Sequence, residues 1–192
     1  MRPDLPVPAD ADLVARARDG DDAAFQRLVE RYADQVAGVV VGMLGAGPEA
    51  DDVGQETFIR FYEALDQFRG EASVGTYLTR IAINQALKAS RRRTAWYRRF
   101  LPSTEAPEPA RDDRGAHDAQ ERIELVRHAL QQIDEKHRAV VVLRMLEGYS
   151  TKETAALLGV PEGTVMSRLS RGLDKLEPIL APLITSGELP AE

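Results

Sequence analysis

The sequence predicts an all-α protein of two small helical domains joined by a flexible linker, the second domain containing a helix-turn-helix. Three observations predict this. Apolar residues recur at three- and four-residue spacing along most of the 192 residues, the period of helices with one buried face. The composition is 43% apolar, 6% aromatic and 29% charged, which suits helices better than a sandwich or barrel. A proline- and acid-rich stretch over 101–118 then divides the pattern in two, with Pro102, Pro107, Pro109, Gly115 and the acids Glu105, Glu108, Asp112, Asp113 and Asp118. These observations give a disordered tail over 1–11, a first domain over 12–100, a linker over 101–118, a second domain over 119–183 and a tail over 184–192.

Asp21 and Asp22 can cap a helix that begins near Ala23 and buries Phe25, Leu28, Val29, Tyr32, Val36, Val39, Val40 and Met43. Gly45, Gly47 and Pro48 end it. A second helix runs from about Glu49 to Gln67, with Val53, Thr57, Phe58, Phe61, Tyr62 and Leu65 inward and Asp51, Asp52, Gln55, Glu56 and Glu63 outward. Phe68 to Ser73 reads as a loop. A third helix runs from about Ser73 to Arg93 on the stripe Val74, Tyr77, Leu78 and Ile81. Its residues Thr76, Arg80, Asn84, Lys88 and Arg91 fall within an arc of about 120°.

In the second half, Ile123, Val126, Leu130 and Ile133 mark one helix, and Ala139, Val140, Leu143 and Leu146 the next. Ser150 with Glu153 forms a capping box for a short helix with Ala155 and Leu158 inside. Gly159-Val160-Pro161 is a sharp turn. A final helix from about Glu162 buries Val165, Leu169, Leu173 and Leu176, and Pro178 limits it.

The charge pattern narrows the function. The net charge of −6 hides a segregation: residues 1–71 hold fifteen acids and seven bases, whereas 72–104 hold seven bases and no acid. An acidic body with one basic segment suggests two different partners. The chain has no cysteine, which excludes disulfides and thiolate metal sites and fits a cytoplasmic location. The N-terminus lacks a signal-peptide pattern, and no apolar run is long enough for membrane insertion. His117, His128 and His137 lack ligand spacing and read as surface residues. No metal, cofactor, small-molecule substrate or catalytic residue is indicated.

Ser150 to Leu176 has the layout of a helix-turn-helix, whose second helix projects into a major groove while the first braces it. Thr164, Ser167, Arg168, Ser170 and Arg171 suit phosphate and base-edge contacts. Taken alone, the same layout also describes an ordinary helical hairpin.

These residues resemble a family. Leu143-Arg144-x-Leu146-Glu147-Gly148-Tyr149-Ser150-x-x-Glu153, then Ala155 and Leu158-Gly159-Val160-Pro161-x-Gly163-Thr164-Val165-x-Ser167-Arg168-Leu169-x-Arg171, resembles region four of extracytoplasmic-function sigma factors. Ala50-x-Asp52-x-x-Gln55-Glu56-x-Phe58 and Thr76-x-Leu78-x-Arg80-Ile81-Ala82-x-Asn84 resemble their region two. The likeness covers about residues 12–178. It departs at Tyr77, where tryptophan is usual, and at Gly54, where a larger apolar residue is common. It departs also at Ile133-Asp134 for Leu-Pro, at Lys88 for aspartate, and at Met166, where the family carries lysine or arginine.

The resemblance implies a transcription initiation factor rather than an enzyme. Asp51, Asp52, Gln55, Glu56 and Phe58 would bind RNA polymerase core, at clamp helices of its largest subunit, with a further contact at the flap region. Without the resemblance they read as a solvated helix face. Phe68, Arg69, Thr76, Arg80, Asn84, Lys88, Arg91 and Arg92 would bind the minus-10 element of promoter DNA, with the loop Phe68–Val74 as a base pocket. Thr164, Ser167, Arg168, Ser170 and Arg171 would read the minus-35 duplex. Trp96, Tyr97 and Phe100 would stack on nucleic acid or pack against protein, and the linker would thread polymerase channels or act as a spacer. An anti-sigma factor is the expected regulatory partner. A DNA-binding response regulator would need alternating strands and helices in the first hundred residues, and there are none. An adaptor that has kept the fold but lost promoter activity is the second alternative.

Overall fold

The computed structural model describes residues 9–100 and 119–185. Among these described residues, eight α-helices form two bundles: α1 (Asp10–Arg18), α2 (Asp22–Leu44), α3 (Pro48–Glu63) and α4 (Val74–Phe100), then α5 (Ala119–Gln131), α6 (Glu135–Val141), α7 (Thr151–Leu158) and α8 (Glu162–Thr185). A 3₁₀ turn spans Leu65–Gln67 and a π-helical turn spans Val142–Leu146. The all-α expectation holds across the described residues. The linker over 101–118 and the outer tails lie outside them.

In the first bundle α2 is the spine. Asp21 caps it by accepting from the Ala24 amide at 3.1 Å, and its inner face buries Leu28, Val36, Val39, Val40 and Met43. Phe61 of α3 is fully buried, with ring centroids 5.9 Å from both Phe68 and Tyr77. Burying such a ring stabilises the fold by about 2–3 kcal/mol. Pro48 at the start of α3 supplies the fixed φ that a first helical turn accepts.

Several sequence expectations need correction. The tail proposed over 1–11 ends earlier, because α1 begins at Asp10. Leu13, Val14 and Ala17 form its buried face, and the Asp10 carboxylate accepts from the Tyr32 hydroxyl and pairs with Arg31. Burial, then the Asp10 bond, pushes the Tyr32 phenol up to about 12. Helix α4 runs to Phe100, seven residues past Arg93. Tyr62, Ile123, Leu146 and Leu173, read as core, are 48%, 46%, 48% and 41% exposed. Each lies at the edge of its stripe. His137, read as a surface residue, is buried.

Helix α8 also continues through Pro178 to Thr185. An interior proline forfeits one backbone bond at about 3 kcal/mol or more. Pro178 is exposed, so water can reach the freed carbonyl, while Ile179 and Leu180 just beyond it pack on the core.

The two bundles share one contiguous core, which joins Val39, Val40 and Met43 to Leu130, Ile133, Val142 and Leu143. Glycines on α2 allow this close approach. A Cβ on Gly42 would meet the Val142 methyl carbons at 3.0 and 3.1 Å, and one on Gly38 would meet the Glu147 carboxylate at 2.5 Å. Arg138, 5% exposed, reaches across this seam. Its Nη1 donates to the Met43 carbonyl (2.5 Å) and to Gln131 Oε1 (2.7 Å), and its Nη2 to the carbonyls of Gln131 and Ile133 (both 2.9 Å). The guanidinium thereby closes the C-terminal ends of α2 and α5, where the helix dipoles favour a cation. Burial, with repulsion from Arg93 second, lowers its pKa to about 10, so it stays charged at neutral pH.

Candidate nucleic-acid interface

The helix-turn-helix forms as its residues dictate. Ser150 Oγ accepts from the Glu153 amide at 3.2 Å, and Glu153 Oε2 accepts from the Ser150 amide at 2.8 Å, so both halves of the capping box are present. Hydrogen bonding from the Ser150 side chain, then from its amide, holds the Glu153 carboxyl below its ordinary range. Gly159 ends α7 in the left-handed region (φ 63°), and the Val160 amide donates to the Ala155 carbonyl at 3.1 Å. Helix α8 then starts on the Pro161 carbonyl, which accepts from Thr164 and Val165. Val165 is fully buried against Val140 and Ala155 and fixes the rotation of α8. Ser167, Ser170 and Arg171 are exposed, and Thr164 and Arg168 are half-buried. The Ser167 hydroxyl donates to the Thr164 carbonyl at 3.1 Å, which leaves its lone pairs outward.

A second polar face lies on α4. Ser73 caps this helix by accepting from the Thr76 amide at 3.1 Å. Arg69, Arg80, Asn84, Lys88, Arg91 and Arg92 are exposed, and Thr76 is half-buried. Phe68 is a correction: only 9% exposed, its ring meets Phe61 and Tyr77 edge-on and cannot stack on a base. Arg18 secures the loop's entrance by donating to the carbonyls of Leu65 and Phe68. The loop from Arg69 to Ser73 stays exposed. Trp96 is exposed, whereas the expectations for Tyr97 and Phe100 fall outside the described side chains.

Two members of the α4 face touch the second bundle. Arg80 donates to the Ala156 carbonyl at 3.5 Å, and Arg91 pairs with Glu135 at 3.1 Å. Behind them the π turn delivers Tyr149 to the seam. The Tyr149 hydroxyl donates to Thr79 Oγ1 at 2.9 Å and accepts from Gln35 Nε2 at 2.9 Å. An open cleft beside this triangle is lined by Tyr32, Ser73, Thr76, Glu147 and Glu153. Asn84, Lys88 and Arg92 make no side-chain hydrogen bond or ion pair among the described residues.

A third face lies on α3. Asp51, Asp52 and Gln55 are exposed, Glu56 is half-buried and pairs with Arg60 at 2.7 Å, and Phe58 is half-buried against the core. Ile59 (53% exposed) and Tyr62 project from the same side, so Asp51, Asp52, Gln55, Ile59 and Tyr62 share an arc of about 100°. The polar reading of this helix missed that apolar end. Ile59 and Tyr62 give this face an exposed apolar patch bordered by polar groups, the core-and-rim layout of protein-docking surfaces. No group of three His, Asp or Glu side chains able to hold a metal forms among the described residues.

The two-bundle fold thus presents three separate polar faces, one of them on a capped helix-turn-helix. Comparison with known proteins makes the class specific. Residues 28–96 match the model for Sigma-70 region 2, and residues 123–176 match that for Sigma-70, region 4. The RNA polymerase sigma-H factor of Pseudomonas aeruginosa is 37% identical, over 91% of this chain and 95% of that protein. The ECF RNA polymerase sigma-E factor of Escherichia coli is 35% identical, over 90% of this chain and 94% of its own. A solved structure of CnrH in complex with the cytosolic domain of CnrY superimposes with a TM-score of 0.66 at 28% identity, covering 91% of this chain and 99% of that one. The chain belongs to the extracytoplasmic-function group of sigma-70 RNA polymerase sigma factors.

Proposed function

We propose that this sigma factor directs RNA polymerase core to promoters by reading two DNA elements with two of its faces. The α4 face, with Arg69, Thr76, Arg80, Asn84, Lys88, Arg91 and Arg92, holds the opened minus-10 strand. The α8 face, with Thr164, Ser167, Arg168, Ser170 and Arg171, reads the minus-35 duplex. The α3 face, with Asp51, Asp52, Gln55, Glu56 and Phe58, docks on core polymerase at the clamp helices of its largest subunit, and the second bundle contacts the flap region. The observation that carries the reading is the α4 surface, where Asn84, Lys88 and Arg92 project together with no carboxylate bonded to them. A basic track with an amide suits a single strand whose bases are held out of the stack.

The test is transcription with purified core polymerase on the DNA upstream of the chain's own operon. A promoter-specific transcript is expected. Core binding without any such transcript would sink the reading. Alanine at Lys88 or Arg92 should weaken minus-10 binding and lower the salt slope by about 0.7 per lost phosphate contact.

We also propose that a cytoplasmic anti-sigma protein holds the chain inactive, as CnrY is seen bound to its structural neighbour CnrH. Co-purification from uninduced cells with core polymerase and no other protein would refute that.

A further inference from the structure

Met166 lies on the flank of α8, about 100° round the helix from the buried Val165, and is 56% exposed. Four residues lie one turn away on its side. Gly163 and Ser170 carry little side chain, Leu169 is half-buried, and Glu162 sits in the first turn, its side chain leaning off the helix end. The same N-terminal lean carries Met166 over the bare Cα of Gly163. The Thr151 hydroxyl of the preceding helix donates to the sulfur at 3.7 Å, which braces the thioether against α7.

We propose that Met166 is a specificity-determining residue that packs against the C5-methyl group of a thymine in the upstream duplex. This rests on the reading of α8 as the minus-35 helix. A methionine exposed on a major-groove helix has no strong hydrogen bond to offer a base edge and no charge for a phosphate. The one apolar feature on the floor of that groove is the thymine methyl. The unbranched thioether adapts to such a contact at little cost in rotamer strain.

The test uses holoenzyme assembled from the full chain and purified core. The probe is duplex DNA enriched by in vitro selection, with each upstream thymine replaced in turn by deoxyuridine. That substitution removes the methyl group and leaves every hydrogen-bonding atom. One position inside the upstream footprint should lose about three- to five-fold in affinity, the effect of uncovering one methyl group. Met166→Ala should bind the thymine and uracil forms of that site equally, and Met166→Leu should keep the preference. Met166→Lys should lose the preference and raise the salt slope by about one. An upstream footprint without a uracil-sensitive position, or a sensitivity that persists in Met166→Ala, overturns the inference while leaving the minus-35 reading intact. Absence of any upstream footprint overturns both. A preference for selected DNA unchanged by Met166→Ala, with weakened binding to core polymerase instead, would assign the side chain to a protein contact and overturn the inference too.

Discussion

Arg138 gives the sharpest prediction about what holds the two bundles together. Its guanidinium donates four hydrogen bonds, three of them to main-chain carbonyls at Met43, Gln131 and Ile133. Because those partners belong to the backbone, no compensating substitution can remove them. In Arg138→Met they would face an apolar side chain. Each orphaned buried acceptor costs about 1–3 kcal/mol, so the gross loss is about 3–9 kcal/mol. Two effects offset part of it: the guanidinium no longer has to be desolvated, and its Nε is already without a partner. The net expectation is about 3 kcal/mol, a large share of the 5–15 kcal/mol typical of a whole domain. Arg138→Lys keeps the charge but reaches fewer carbonyls and should fall about midway. Urea unfolding at neutral pH measures both, with the Met midpoint lowered by about 1–2 M. A Met variant within about 0.5 kcal/mol of the parent would refute the reasoning, because the carbonyls would then be satisfied without the cation.

Gly54→Ala in α3 should stabilise the chain by up to about 1 kcal/mol, since an added Cβ meets nothing within 4 Å; a lowered melting temperature would contradict this. Burial raises the Glu147 pKa above its ordinary value, so the folded seam favours the protonated acid. The associated stability is full below the unfolded pKa near 4.5 and is lost as pH rises through the raised folded pKa. Glu147→Gln should abolish that part of the pH dependence in urea titrations and should stabilise the closed form at neutral pH. Gly42→Leu should force Val142 away and destabilise the packed seam by about 1–3 kcal/mol. Small-angle scattering should then report a larger radius, and an unchanged profile would show that the seam tolerates the side chain.

Most helices were legible from three- and four-residue periodicity, because an amphipathic face is written directly into residue order. The Ser150–Glu153 box was legible for the same reason: both bonds join residues three apart. What escaped depends on partners distant in sequence. Arg138 carried no signal in the sequence, because its acceptors near residues 43 and 131 are main-chain groups without a side-chain signature. Gly38 and Gly42 drew no reading from the sequence, since their meaning lies in the second bundle pressed against them. Phe68 sat in a glycine-containing loop and read as exposed, but its ring completes the packing around Phe61. Ile59 lay outside the inward stripe and drew no attention until its exposure placed it among the α3 carboxylates.

The Gln35–Thr79–Tyr149 triangle and its neighbours bear on how the free chain meets DNA. While Arg80 and Arg91 are engaged with Ala156 and Glu135, only an opened molecule presents the whole α4 face. Closure therefore acts as a population tax on affinity: the apparent dissociation constant equals the intrinsic one divided by the open fraction. A seam worth about 2.7 kcal/mol would leave roughly one molecule in a hundred open and would weaken the proposed promoter binding about a hundred-fold. Any partner that binds only the opened molecule lifts that tax for DNA, and polymerase core is the one the α3 face is proposed to recruit.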